Sequence, residues 1–158
     1  MKKHQQPMTY TLMHVLLASP VNPMPESTRS FQLLRMWSGL AALEKSEKPT
    51  ADDWRVCSDA VNIMESLVEM GEIEDSTGLL KDAVAALALA GRASYEGLPL
   101  RLSGEGMVAM RAVLEDYASC LEELPARTMI KAHCKTEWRV REILAGKKLP
   151  HDVTVMAI

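Results

Sequence analysis

Metal ligands are the first residues from which chemistry would be expected, and here their spacing is unfavourable. No H-x-x-x-H or H-E-x-x-H spacing occurs among the four histidines, which are His4, His14, His133 and His151. His133 and Cys134 are adjacent, so on a helix their side chains point about 100° apart and do not readily share an ion. We therefore predict no metal site, and we interpret His133 as a histidine at the edge of the core.

Nucleophilic chemistry is poorly supported as well. The chain has three cysteines, Cys57, Cys120 and Cys134, and contains neither C-x-x-C nor G-x-S-x-G. An odd number of widely spaced cysteines argues against a disulfide framework and favours a reducing compartment, so we expect a cytoplasmic protein. The fragment Gly104-Glu105-Gly106 is too short for a phosphate-binding loop. We expect no cofactor.

Paired carboxylates are the remaining route to catalysis. Glu65, Glu69, Glu72 and Asp75 could suggest a di-metal carboxylate helix. Such a site needs an E-x-x-H motif on each of two helices, and none occurs here. These acids also lie on the polar flank of their helix. We interpret them as a solvated face and do not expect an enzyme.

Charge is divided unevenly along the chain. Residues 50–91 hold nine acidic and two basic side chains, a local charge of −7, and residues 125–149 hold seven basic and two acidic ones, a local charge of +5. The formal net charge of −3 hides this division. Two interpretations are open: either part binds something charged, or the two parts face each other.

The elements that must position these charges are helices. Leu, Ala and Met are abundant, β-branched residues are sparse before the last few positions, and 158 residues suffice for one domain with a real core. We predict an all-α fold, a compact bundle of five to six mostly antiparallel helices with an extended C-terminal tail. The divisions are a lead-in at 1–25, a helical core at 26–146 and a tail at 147–158.

Turn and capping residues set the helix limits. Pro25, Thr50, Ser103 and Pro125 suit helix starts, Asp75 or Ser76 suits another, and Gly71 and Gly146 suit helix ends. The predicted helices are 26–46, 51–70, 77–93, 104–123 and 125–145, and 9–19 is either a short helix or a strand. The second of these has two apolar flanks and is expected to be central. Short connections at 46–50, 71–76 and 123–126 predict that sequential helices are antiparallel neighbours.

Within these helices, apolar spacing separates inward from outward positions. Phe31, Leu34, Trp37 and Ala41 recur at helical spacing in the first long helix. In the last helix, Met129, His133, Thr136, Val140 and Ile143 fall on one face, which we take as the core face.

The opposite side of the last helix is basic and carries an unexpected tryptophan. Trp138 stands there among cations, and this predicted partner-binding set is Arg127, Lys131, Lys135, Trp138 and Arg141. Either another part of the chain covers Trp138, or the indole is a binding anchor, since Trp and Arg are enriched at interface hot spots.

The functional hypothesis follows from charge rather than from a motif. We expect a non-catalytic helical interaction module that binds a protein partner or self-associates. Its second surface is an acidic face of Asp52, Asp59, Glu65, Glu69 and Glu72. One form would be a phage- or plasmid-encoded inhibitor of a host protein such as a defence nuclease, with acids placed where phosphates would lie. The alternative is a nucleic-acid-binding regulator that uses the 127–141 helix face. No apolar run reaches the length of a membrane span, so we expect no membrane partner.

Overall fold

The structure, a computed structural model, describes residues 9–146, and every regular element within them is an α-helix. This confirms the predicted all-α bundle. The extended tail predicted for 147–158 and the first part of the lead-in lie outside the described residues. The six helices are α1 (Leu12–Leu17), α2 (Glu26–Lys45), α3 (Ala51–Glu69), α4 (Leu79–Tyr95), α5 (Gly104–Glu123) and α6 (Ala126–Leu144).

Most helix limits coincide with the predicted capping residues. The Thr50 hydroxyl accepts the Asp53 backbone N–H at 3.3 Å, and the Asp53 carboxylate accepts the Thr50 N–H at 2.8 Å, which is a complete capping box. Ser103 likewise accepts the Gly106 N–H at 3.0 Å. At Gly146, φ is +76°, a left-handed conformation that closes α6 and that a residue with a Cβ rarely adopts.

Helix α4 begins later than predicted. Its N-cap is Gly78, where φ is +74°, rather than Asp75 or Ser76. Asp75 nevertheless acts on the same helix, because its carboxylate accepts the backbone N–H groups of Leu80 and Lys81 at 3.2 and 3.1 Å. The sequence indicated the right acceptor, but the left-handed turn at Gly78 places the first helical residue two positions beyond the expected start.

Helix α3 is central, as its two apolar flanks predict. It packs against α2, α4, α5 and α6. Its buried residues include Trp54, whose indole N–H donates to the Leu87 carbonyl of α4 at 2.9 Å. Gly91 of α4 faces this ring, and a Cβ there would lie 3.1 Å from the indole. The small residues of α4 thus allow a close approach of the two helices.

Helix α6 departs from the expected arrangement. The short connection from α5 predicts antiparallel packing of these two helices, but α6 packs chiefly against α3 and α1. Leu124 and Pro125 are both extended, with ψ near 145°, and the ring of Pro125 itself disfavours a helical conformation at the residue before it. These two extended residues redirect the chain, so α6 lies against α3.

The segment before α2 completes the start of α6. Pro125 has no side-chain acceptor for the unpaired N–H groups of the first turn. Instead, the Ala126 N–H donates to the Asn22 carbonyl at 2.8 Å, and the Arg127 N–H donates to the Ser19 carbonyl at 3.0 Å. These two hydrogen bonds join the lead-in to the start of α6. Within 9–19 the chain forms a short helix, α1, rather than a strand.

Helix α2 has apolar residues on two sides. Met36, Leu40 and Leu43 are buried in the core, whereas Phe31 and Leu34 are 67% and 69% exposed. The helical spacing of apolar residues that predicts this helix is thus largely the spacing of residues on its solvent-facing side. None of the helices within 9–146 has both the length and the apolar content that a bilayer crossing needs.

Candidate interaction surface

The outward side of α6 presents the predicted tryptophan to solvent. Trp138 is 54% exposed, and Lys131, two turns earlier on the same side, is exposed as well. No described part of the chain seals the indole inside the protein. An exposed amphipathic aromatic ring with a cation two turns away on the same side of the helix has the composition of an interface anchor.

The remaining predicted basic residues differ in their surroundings. Arg127 holds α1 in place: its Nε donates to the Val15 carbonyl at 3.1 Å, and its Nη2 donates to the Leu16 carbonyl at 3.1 Å. A cation near the last carbonyls of a helix is favourable. Arg141 is half-buried in the final turns of α6. The structure therefore gives Arg127 a definite internal role.

Lys135 contacts the acidic segment. Its Nζ lies 3.0 Å from Glu69 of α3, and both side chains are about one-third exposed. One turn along α6, Arg139 lies 3.3 Å from Glu65. The acidic and basic parts of the chain therefore face each other along the α3–α6 contact, which is one of the two interpretations that the charge division left open.

Arg139 is the residue that sequence reasoning missed. It is 2% exposed, and besides Glu65 its guanidinium donates to the Ser66 hydroxyl at 2.9 Å. The sequence contained a signal for this pairing. Glu65 and Glu69 on α3 are four residues apart, as are Lys135 and Arg139 on α6. The pairs form in reverse order along the chain, as antiparallel helices require. Because Arg139 is buried, the core face of α6 lies closer to Arg139 than the predicted core face does. Leu144, in the last turn of α6, is exposed.

A buried hydroxyl network surrounds this ion pair. The hydroxyls of Ser66 and Thr136 lie 2.7 Å apart, and the Thr136 hydroxyl is 3.2 Å from the Asn62 carbonyl and 2.9 Å from the Ala132 carbonyl. Burial raises the pKa of the Glu65 carboxyl, and Arg139 opposes that rise. The arrangement joins α3 to α6 through polar groups.

The predicted acidic face is divided by the fold. Glu65 and Glu69 point toward α6, whereas Asp52 and Asp59 are exposed on another side of α3. Glu72 is exposed beyond the end of the helix. The five acids thus do not form one continuous surface.

His133 lies where α1 meets α6. Its ring makes an edge contact with Tyr10 at 5.3 Å between centroids, and Tyr10 makes a similar contact with His14 at 5.7 Å. The His133 Nε2 is buried without a hydrogen-bond partner among the described residues. Burial lowers the pKa of His133 to about 4, against a smaller opposing effect of Glu137, so the ring is neutral at pH 7.

Other chemistry receives no support from the described residues. Between 9 and 146 there is no group of three or more His, Cys, Asp or Glu side chains placed to hold a metal ion. Cys57 is fully buried, and burial raises the pKa of its thiol to about 12, which leaves it protonated and unreactive at neutral pH.

No protein family, curated protein or solved structure matches the chain.

Helix α1 adds apolar area beside α6. It is held there by Arg127 and by the residue before it, Tyr10, and Val15 packs against the core. Four of its side chains face solvent, with exposed fractions from 60% to 78% for Leu12, Met13, Leu16 and Leu17. The α1–α6 surface, defined as these four residues with Lys131 and Trp138, is apolar with a basic component. Large exposed apolar surfaces rimmed by polar residues mark interaction sites.

A second apolar surface lies on α2. Between Ser27 and Ala41, the exposed positions on one 120° sector of the helix are all uncharged, and exposed Lys45 continues the same side at the last residue of the helix. This α2 outer face consists of Ser27, Ser30, Phe31, Leu34, Trp37, Ser38 and Ala41.

Proposed function

We propose that this chain is a non-catalytic interaction module that docks a protein partner through the α1–α6 surface. The observation that carries the proposal is Trp138, which is 54% exposed in the middle of a well-formed helix beside exposed Lys131. The ordered helix holds the backbone of both residues in fixed positions, which lowers the entropy cost of binding.

The chemistry of the surface defines the partner. An indole and four aliphatic side chains of α1 call for an apolar pocket or groove, and Lys131 calls for acidic residues at its edge. Trp138 would enter the pocket, and its neighbours would exclude water around it.

The same contacts bear on two narrower hypotheses. An inhibitor that imitates phosphates needs a continuous row of exposed carboxylates, but Glu65 and Glu69 pair with α6 and the exposed acids Asp52, Asp59 and Glu72 lie elsewhere. A nucleic-acid regulator needs several free cations, but Arg127 binds α1 and Lys135 pairs with Glu69. No observation specifically supports either hypothesis. We therefore propose a protein partner that has an apolar pocket with acidic residues at its edge.

The test compares capture of partners by Trp138→Ala and by a matched control, Tyr95→Ala. Tyr95 is 78% exposed on α4, away from the α1–α6 surface. Each tagged variant is purified from the native host, and the retained proteins are quantified by mass spectrometry. A defined partner should be lost with Trp138→Ala, by about 30-fold in affinity or more, and kept with Tyr95→Ala.

Two readouts decide against the proposal. Equal capture by both variants would remove Trp138 from the interface. A mobility shift of DNA by the wild-type chain, with affinity falling steeply as salt rises, would support the nucleic-acid alternative instead. Circular dichroism of both variants verifies that helicity is unchanged.

A further inference from the structure

The α2 outer face is an apolar surface with no described neighbour. Phe31, Leu34 and Trp37 are 67%, 69% and 36% exposed, and they occupy three successive positions along one side of the helix. Helix α2 packs on α3 and α5 through its other sides. Phe31 and Leu34 therefore leave most of their surface open within residues 9–146, and Trp37 leaves about a third of its surface open.

We propose that the α2 outer face binds the same face of a second copy of this chain and forms a two-fold symmetric dimer. This surface is separate from the α1–α6 surface that we propose for the protein partner, and the two proposals stand or fall independently.

Charge is the first reason to choose a second copy as the occupant. A two-fold axis brings a surface onto itself, so any charge near the axis meets a like charge. The α2 outer face carries no charged side chain from Ser27 to Ala41, although a quarter of the residues in the chain are charged. A surface evolved for a charged partner would carry complementary charge, and this one carries none.

Shape is the second reason. Phe31, Leu34 and Trp37 alternate with the small residues Ser30, Ser38 and Ala41 along about 15 Å of helix. Large side chains of one copy can pack between small ones of the other, which is how ridges of one helix fill grooves of another.

The exposed area fits a weak, reversible dimer. From typical side-chain sizes, the open parts of Phe31, Leu34 and Trp37 amount to roughly 300 Å² per copy, or about 600 Å² for a pair. This is about half of the ~1,200 Å² at which stable interfaces begin, and the serines and Ala41 add the remaining apolar contact of the face.

The test is sedimentation velocity of the full chain over a range of concentrations. We expect a monomer–dimer equilibrium in the wild-type protein. Leu34→Glu should weaken association by about tenfold or more, because it places two like charges in an apolar contact. The matched control is Leu89→Glu, since Leu89 is 63% exposed on α4 and should leave the dimer intact.

Several outcomes would overturn the proposal. A wild-type chain that stays monomeric at high concentration would mean that something else covers the α2 outer face, either residues outside 9–146 or a different protein. A dimer that survives Leu34→Glu but is lost with Trp138→Ala would place self-association on the α1–α6 surface. Equal loss with Leu34→Glu and Leu89→Glu would indicate non-specific association.

Folding of the variants is checked by circular dichroism and thermal midpoint. Leu34 is 69% exposed, so Leu34→Glu should retain the wild-type helicity. If it does not fold, Phe31→Ser provides the same test without adding charge.

Discussion

Arg139 and Glu65 form an ion pair that lies almost entirely inside the protein, with the guanidinium 3.3 Å from the carboxylate and side-chain exposures of 2% and 15%. The pair joins α6 to α3, and the Ser66 hydroxyl accepts a second hydrogen bond from Arg139 at 2.9 Å. Two regions of opposite charge, far apart in sequence, thus stabilise the contact between two helices.

Removing one member of this pair should destabilise the fold strongly. Arg139→Ala leaves the Glu65 carboxylate without its cation, which typically costs about 3–5 kcal/mol for a buried pair. The free energy of unfolding is measured by urea denaturation. Arg55→Ala is the control, because Arg55 and Asp52 form an exposed pair at 2.8 Å that is worth at most about 1 kcal/mol. Similar losses for the two variants would mean that the Arg139 pair contributes no more than a surface contact.

His133 should make the fold acid-sensitive. Its pKa is about 4 in the folded chain and about 6.5 when unfolded, so the unfolded state takes up the proton first as the pH falls. Stability is therefore lost as the pH drops from about 6.5 to about 4, by up to roughly 3 kcal/mol. Carboxylates also titrate in part of this range, so the measured quantity is the difference in pH dependence between wild-type and His133→Gln. Parallel stability curves for the two proteins would contradict the prediction.

Gly106 should be intolerant of a methyl group, unlike its near neighbour. A Cβ at Gly106 would lie 2.7 Å from the Ala86 Cβ of α4, whereas a Cβ at Gly104 meets nothing within 4 Å. Gly106→Ala gains up to about 1 kcal/mol of helix propensity but should lose about 1–3 kcal/mol to overpacking, leaving a net loss. Gly104→Ala should be neutral or stabilising. Thermal unfolding compares them, and equal midpoints would show that α4 moves aside at little cost.

Arg127 should control the docking of α1 without affecting the bundle. Six residues are too few for a stable isolated helix, so α1 depends on its contacts. Arg127→Ala removes the hydrogen bonds to the Val15 and Leu16 carbonyls. Hydrogen–deuterium exchange should rise about tenfold or more across 12–17 while exchange in α3 stays unchanged. Lys131→Ala, one turn along on the exposed side, is the control, and equal exchange in both variants would contradict the assigned role.

Local signals predicted the elements well because they act over a few residues. Thr50 with Asp53 and Ser103 with Gly106 are capping contacts within three residues of each other, and Gly146 is a local turn. Helix α4 shows the limit of such signals. Asp75 was correctly placed near its start, but only the backbone conformation at Gly78 shows where the helix begins.

The side of a helix that faces the core is harder to predict. Phe31, Leu34 and Trp37 have the spacing of a buried stripe, yet they face solvent while Met36, Leu40 and Leu43 are buried. Periodicity reports that apolar residues share a side, and it does not report whether a neighbour covers that side. The packing of α6 against α3 rather than α5 has the same origin, because it depends on two extended residues and on long-range contacts.

The amino-acid sequence alone determined the helical class, most helix limits, the central place of α3 and the side of α6 that carries Trp138, since each follows from propensity, capping or helical phase. Only the tertiary structure decided that the acidic and basic regions meet through Glu65–Arg139 and Glu69–Lys135, and that α2 leaves an apolar side uncovered. Charge and apolar character are properties of residues, whereas pairing and burial are properties of neighbours brought together by the whole chain.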